Sequence, residues 1–97
     1  MLHIISSFPI SPSFLKNTHS GDTVIFTDNA IFAVIYKNID QESLMKKAFN
    51  HINLCVRRAD LLIKNIPTQE LLRGVAIIDD LQYENALSQD FAIRSCN

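Results

Sequence analysis

Along this chain, short apolar runs that never alternate with polar residues are separated by stretches of helical spacing. Leu2–Ile5 is one such run, closed by Ser6-Ser7, and Thr23–Thr27 is another, rich in β-branched and aromatic residues. Asn53–Arg57 (NLCVR) and Val75–Asp79 (VAIID) repeat the pattern. Short apolar runs of this kind predict strands covered on both faces. Between them the period changes. After the N-cap residue Asp40, QESLMKKAFNHI brings Leu44, Met45, Ala48, Phe49 and Ile52 onto one stripe of a helix. Ser11-Pro12 predicts the start of a shorter helix through Phe14 and Leu15. Asp60 is placed to cap a short helix, LLIKNI, that Pro67 ends. Residues Asp80–Asp90 predict a last helix with Leu81, Ala86 and Leu87 turned inward, and the tail FAIRSCN a short edge strand. Strands that alternate with helices predict one α/β domain over residues 1–97. Its sheet is expected to be mostly parallel, with four to five strands and helices on both faces.

One stretch resists this pattern. DTVIFTDNAIFAVIY, Asp22–Tyr36, is apolar almost throughout, yet Asp28-Asn29 divides it. Residues 30–36 read either as an extended, returning strand or as a short helical or irregular segment packed over the sheet. The extended reading is favoured, because Asp-Asn tolerates the left-handed backbone of a tight turn.

Composition adds a hint of partnership. The 97 residues are 47% hydrophobic and 20% charged, with two glycines, against an ordinary charged share of about 25%. A small domain with surplus apolar residues often buries them against another subunit. Nine Lys+Arg against ten Asp+Glu give a net charge of −1, so the basic face of a stand-alone nucleic-acid binder is not expected. The doublets Lys46-Lys47 and Arg57-Arg58 are ordinary surface pairs. No apolar run reaches the roughly 18–20 residues that cross a bilayer. The first residues lack the basic region and the apolar length of a signal peptide. A cytoplasmic protein without membrane contact is the expectation.

Candidate chemistry is sparse. Open parallel sheets meet ligands at the carboxyl ends of their strands, where this chain puts Asp28, Arg57 and the pair Asp79-Asp80. Three carboxylates at one rim could hold Mg²⁺ or do acid–base work. The same positions equally suit a turn at Asp28 and a helix cap at Asp80. With glycine only at 21 and 74, neither a Walker loop nor a dinucleotide-binding turn exists, and no cofactor is expected. Cys55, inside an apolar strand, reads as a small hydrophobe. Cys96, near the carboxyl end, is a weak catalytic candidate: an exposed thiol that could carry sulfur, but with no evident base to activate it. His3, His19 and His51 lack metal-ligand spacing, and His3 in the first strand is packed or interfacial.

Taken in order, MLHIISSFP, SGDTVIFTDNAIFAVI and RRADLLIKNIP…VAIIDDLQYENAL resemble the TusB/DsrH family. Members are about this length and open on a Met-Leu-His strand. They carry Gly-Asp before an apolar strand that ends in Asp-Gly, then a strand leading into a Glu-Asp-Leu-like short helix, then a strand ending in Ile-Asp. The resemblance implies a small α/β subunit that joins homologous TusC-like and TusD-like subunits in a heterohexamer. That complex takes persulfide sulfur from a TusA-like donor and passes it to a TusE-like acceptor, towards 2-thiolation of the wobble uridine of certain tRNAs. It further implies that the principal relay cysteine belongs to the TusD-like partner. Two departures stand out. Some family members carry a cysteine shortly before Gly-Asp, where this chain reads FLKNTHSGD, and Asp28-Asn29 replaces Asp-Gly. Neither Cys55 nor Cys96 gains a relay role from the resemblance.

Overall fold

The computed structural model describes residues 2–8, 19–35, 52–72, 74–89 and 93–96, with the backbone alone at 89 and 93–96. Five strands make one sheet: β1 (Leu2–Ile5), β2 (Thr23–Phe26), β3 (Asn53–Arg57), β4 (Ala76–Ile78) and β5 (Ile93–Cys96). Their order is β4-β3-β2-β1-β5, and every neighbouring pair is parallel. The expected α/β class, parallel sheet and strand positions therefore hold. The two predicted helices at 11–15 and 41–52 lie outside the described residues, apart from Ile52.

Pairing register explains why the strands do not alternate in polarity. His3, Val24 and Leu54 share one row, and Ile5, Phe26, Val56 and Ile77 the next, all on one face of the sheet. That face carries the core, in which Val24, Phe26 and Val56 are fully buried. Leu2, Ile4, Ile25 and Cys55 point the other way, and there Leu2 and Ile25 are buried as well. Two covered faces need apolar residues at both parities.

Residues 28–34 correct the extended reading. Asp28–Val34 is a 3-10 helix, and its Ala30, Ile31, Ala33 and Val34 pack into the core. The left-handed step expected at Asp28-Asn29 is taken by Asp28, at φ 49°. That turn lifts the chain off the end of β2 and lays it back over the sheet. The carboxyl end of this lid is stitched to the connection before β4. Ile35 bridges Leu71 in antiparallel sense, and the Leu72 N–H donates to the Val34 carbonyl at 2.8 Å.

The first described α-helix, α1 (Arg58–Ile63), begins three residues earlier than predicted, so Asp60 stands in its first turn and is not its cap. Its end is a Schellman motif: the Ile66 N–H bonds the Leu61 carbonyl at 3.0 Å and the Asn65 N–H bonds that of Leu62 at 3.3 Å. Asn65 supplies the left-handed residue, at φ 56°. Leu61 and Ile66 both pack on the core, the apolar contact that accompanies this motif. Asn65→Gly is expected to keep stability within a few tenths of a kcal/mol, and Asn65→Ala to lose about 1 kcal/mol. Urea midpoints of the two variants measure the difference, and equal midpoints would remove the strain argument. A short 3-10 turn, Thr68–Glu70, completes the connection to β4.

α2 (Asp80–Gln89) follows β4, and its cap is Asp79, one residue before the predicted Asp80. The Gln82 N–H donates to Asp79 Oδ1 at 2.8 Å, and the Asp79 N–H donates to Gln82 Oε1 at 2.9 Å. This reciprocal pair is a capping box. Leu81, expected inward, is 67% exposed, while Ala86 and Leu87 are half-buried. Val56 faces the core that Leu61 of α1 joins, whereas Arg57, next along β3, stacks on Tyr83 of α2. The β3-to-β4 and β4-to-β5 connections cross the sheet in opposite directions, and right-handed crossovers then place the two helices on opposite faces.

Candidate functional site

The carboxyl ends of β2, β3 and β4 form the rim where a parallel sheet presents its chemistry. The charged side chains predicted there are present, but they divide into separate pairs. At the β2 end, Lys64 Nζ lies 3.3 Å from Asp28 Oδ1 and donates to Asn29 Oδ1 at 2.9 Å. This ties the end of α1 to the start of the 3-10 helix. Asp28 is mostly in water and Lys64 only half-buried, so the pair positions the turn and contributes little stability.

At the β3 and β4 ends, Arg57 is the hub. Its guanidinium carbon stands 4.5 Å from the centre of the Tyr83 ring. Its Nη2 donates to Asp80 Oδ1 at 3.4 Å, and its Nη1 lies 3.8 Å from Asp60 Oδ2. Arg57 Nε and Asp60 Oδ2 are both buried, and neither makes a hydrogen bond. Asp79 is bound into the cap of α2. Asp28, Asp79 and Asp80 each answer to a different neighbour, and among the described residues no three His, Cys, Asp or Glu side chains are grouped to hold a metal ion. The Mg²⁺ reading of these three carboxylates is corrected accordingly.

The thiols are placed differently. Cys55 sits mid-strand in β3, half-buried, beside Ile25 of β2 and Ala76 of β4. Burial pushes its pKa up, away from the thiolate that sulfur chemistry needs. Cys96 is the last residue of the edge strand β5, in register with Ile5.

No protein-family model and no curated protein matches this chain.

One polar pair was not legible as a unit in the sequence. His3 Nε2 lies 2.8 Å from Asp22 Oδ2, with His3 wholly buried and Asp22 nearly so. The backbone N–H of His19 donates to the same oxygen at 2.9 Å, and the exposed His19 ring approaches it at 3.9 Å. Burial alone would raise the Asp22 pKa, but the His3 ring and the His19 N–H are among the partners that hold it well below the usual carboxylate range. The signal was a charged residue after Gly21, at the mouth of an apolar strand, with a histidine on the neighbouring strand. Leu2 pairs with Thr23 and His3 with Val24, so the pair stands at the amino ends of β1 and β2. That is the end opposite the rim, and the pair is a structural tie between β1 and the turn that enters β2. Among the described residues, no helix is long and apolar enough to cross a membrane.

Proposed function

We propose that this chain is a non-catalytic subunit of a TusBCD-like sulfur-relay complex, which stabilises and positions a cysteine-bearing partner. In this reading it is cytoplasmic and binds TusC-like and TusD-like subunits. A TusA-like donor supplies persulfide sulfur and a TusE-like acceptor receives it, for 2-thiolation of the tRNA wobble uridine. The sequence resemblance over nearly the whole chain motivates it. The observation that carries it is the state of Cys55, half-buried within β3 and made less acidic by its surroundings. A sulfur acceptor needs an accessible thiolate, and Cys55 is built as packing. Adjacent Leu62 and Ile63 on α1, 71% and 72% exposed, add support. Large apolar side chains left in water side by side suit a chain that works in an assembly.

Two experiments test this reading. On co-expression with TusC-like and TusD-like subunits, the chain is expected to co-elute with them in one heteromeric peak, with its mass read by light scattering. In the reconstituted complex, Cys55→Ser and Cys96→Ser are expected to leave sulfur transfer within about twofold of wild type. A chain that ignores both partners as a stable monomer would overturn the proposal. So would one added sulfur atom on Cys96, found by mass spectrometry after exposure to a persulfide donor, together with loss of transfer in Cys96→Ser. That outcome would make this chain a relay subunit in its own right.

A further inference from the structure

We infer that the crevice outside the carboxyl ends of β3 and β4 binds a small carboxylate or oxyanion, with Arg57 as its anchor and Asp80 as the group it displaces. The argument begins with topology. β3 leads into α1 on one face of the sheet, and β4 leads into α2 on the other. The two connections therefore diverge between neighbouring strands, the place in open α/β sheets where ligands bind.

Arg57 ends β3 at this point with its donors poorly used. A guanidinium has five N–H donors. Among the described residues a single hydrogen bond is made, at 3.4 Å, and Nε has none. The side chain is nonetheless held in place. It lies on the Tyr83 ring, and Asp60 stands 3.8 Å from Nη1 without bonding it. The side chain is 29% exposed, so part of it faces solvent, while its hydrogen-bond acceptor among the described residues, Asp80, is 73% exposed on the first turn of α2. A ligand offering two oxygens to Nη1 and Nη2 gains the fork geometry that Asp80 does not provide.

Charge decides whether an anion is tolerated among aspartates. Asp79 is bound into its capping box, where the amino end of α2 offsets its charge. Once Asp80 turns to solvent, Asp60 is the described carboxylate left beside Arg57, and it leaves the Nη1 and Nη2 donors unbonded for a ligand. The inference stands apart from the subunit proposal, and either can fail without the other.

The test is a titration of the full chain with malonate and, separately, inorganic phosphate at low ionic strength, following the Arg57 Nε–Hε signal by NMR. A saturable shift with Kd on the order of 1 mM is expected. Asp80→Asn should tighten binding about two- to fivefold by removing the competing carboxylate. Arg57→Lys should weaken it about tenfold or more, because an ammonium lacks the fork. Response to malonate alone assigns a carboxylate site, and response to both assigns a general oxyanion site. Linear, unsaturated shifts with both probes, or affinity unchanged in Asp80→Asn, would overturn the inference. Asp80→Asn is an exposed substitution, so this arm does not depend on how Arg57→Lys folds.

Discussion

Asp22→Ala is expected to destabilise the protein by about 2–4 kcal/mol, from about 1–3 kcal/mol for each buried donor left without its acceptor. The Asp22 carboxylate accepts from the His3 ring and from the His19 backbone, so its loss leaves two donors without this acceptor in a buried setting. Small domains have about 5–15 kcal/mol of stability in total, so the variant should be marginal. Urea denaturation at pH 7 with unchanged m-value measures it, and a loss below about 1 kcal/mol would show that the tie is ornamental. The pH dependence follows from the same carboxylate. Its pKa is lower in the folded chain than in the unfolded one. Its contribution is therefore complete above the unfolded carboxylate value of about 4 and is lost as pH falls through that value towards the folded one. Wild type should weaken below about pH 5, and Asp22→Ala should show a flatter profile over the same range.

Phe26→Ala is expected to cost about 3–5 kcal/mol, the range for removing a buried ring and leaving a cavity. Phe26 is fully buried between Ile5 and Val56 in the sheet row that the 3-10 helix covers. Ile31 and Val34 above it are equally inaccessible, and a 3-10 turn has little freedom to sink into the gap. Leu81→Ala is the contrasting case. With Leu81 mostly in water, its truncation should change stability by no more than about 0.5 kcal/mol. Similar midpoints for the two variants would show that the lid over β2 is not where the structure places it.

Much of the fold was legible because the strands announce themselves. Leu2–Ile5 and Asn53–Arg57 begin and end where the apolar runs do. The largest error has a plain physical cause. Over a run such as AIFAVI every position is apolar, so periodicity cannot distinguish a strand from a tight helix, and the turn chemistry at Asp28 had to decide. Asp28 does take the left-handed step, but the chain then winds instead of extending. The one-residue slip at the cap of α2 came from two adjacent aspartates, either of which could cap. Gln82 three residues after Asp79 was the discriminating partner. At the rim, the identities of Arg57, Asp28, Asp79 and Asp80 were readable and their pairing was not. Pairing depends on which strand lies beside which, and that order is absent from any local pattern. Tyr83 and Asp60 entered the site for the same reason.

Strand order also bears on how the chain comes to be made. β1 is an inner strand whose two neighbours are β2 and β5, with Leu2 beside both Thr23 and Ile93. During synthesis β2 emerges soon after β1, but β5 only after the rest of the sheet has left the ribosome. For most of that time one edge of β1 offers its backbone N–H and C=O groups to any strand that passes. Nascent chains of this protein are therefore expected to engage chaperones that shield open strand edges, and stalled chains ending before residue 93 to be the species most prone to clump.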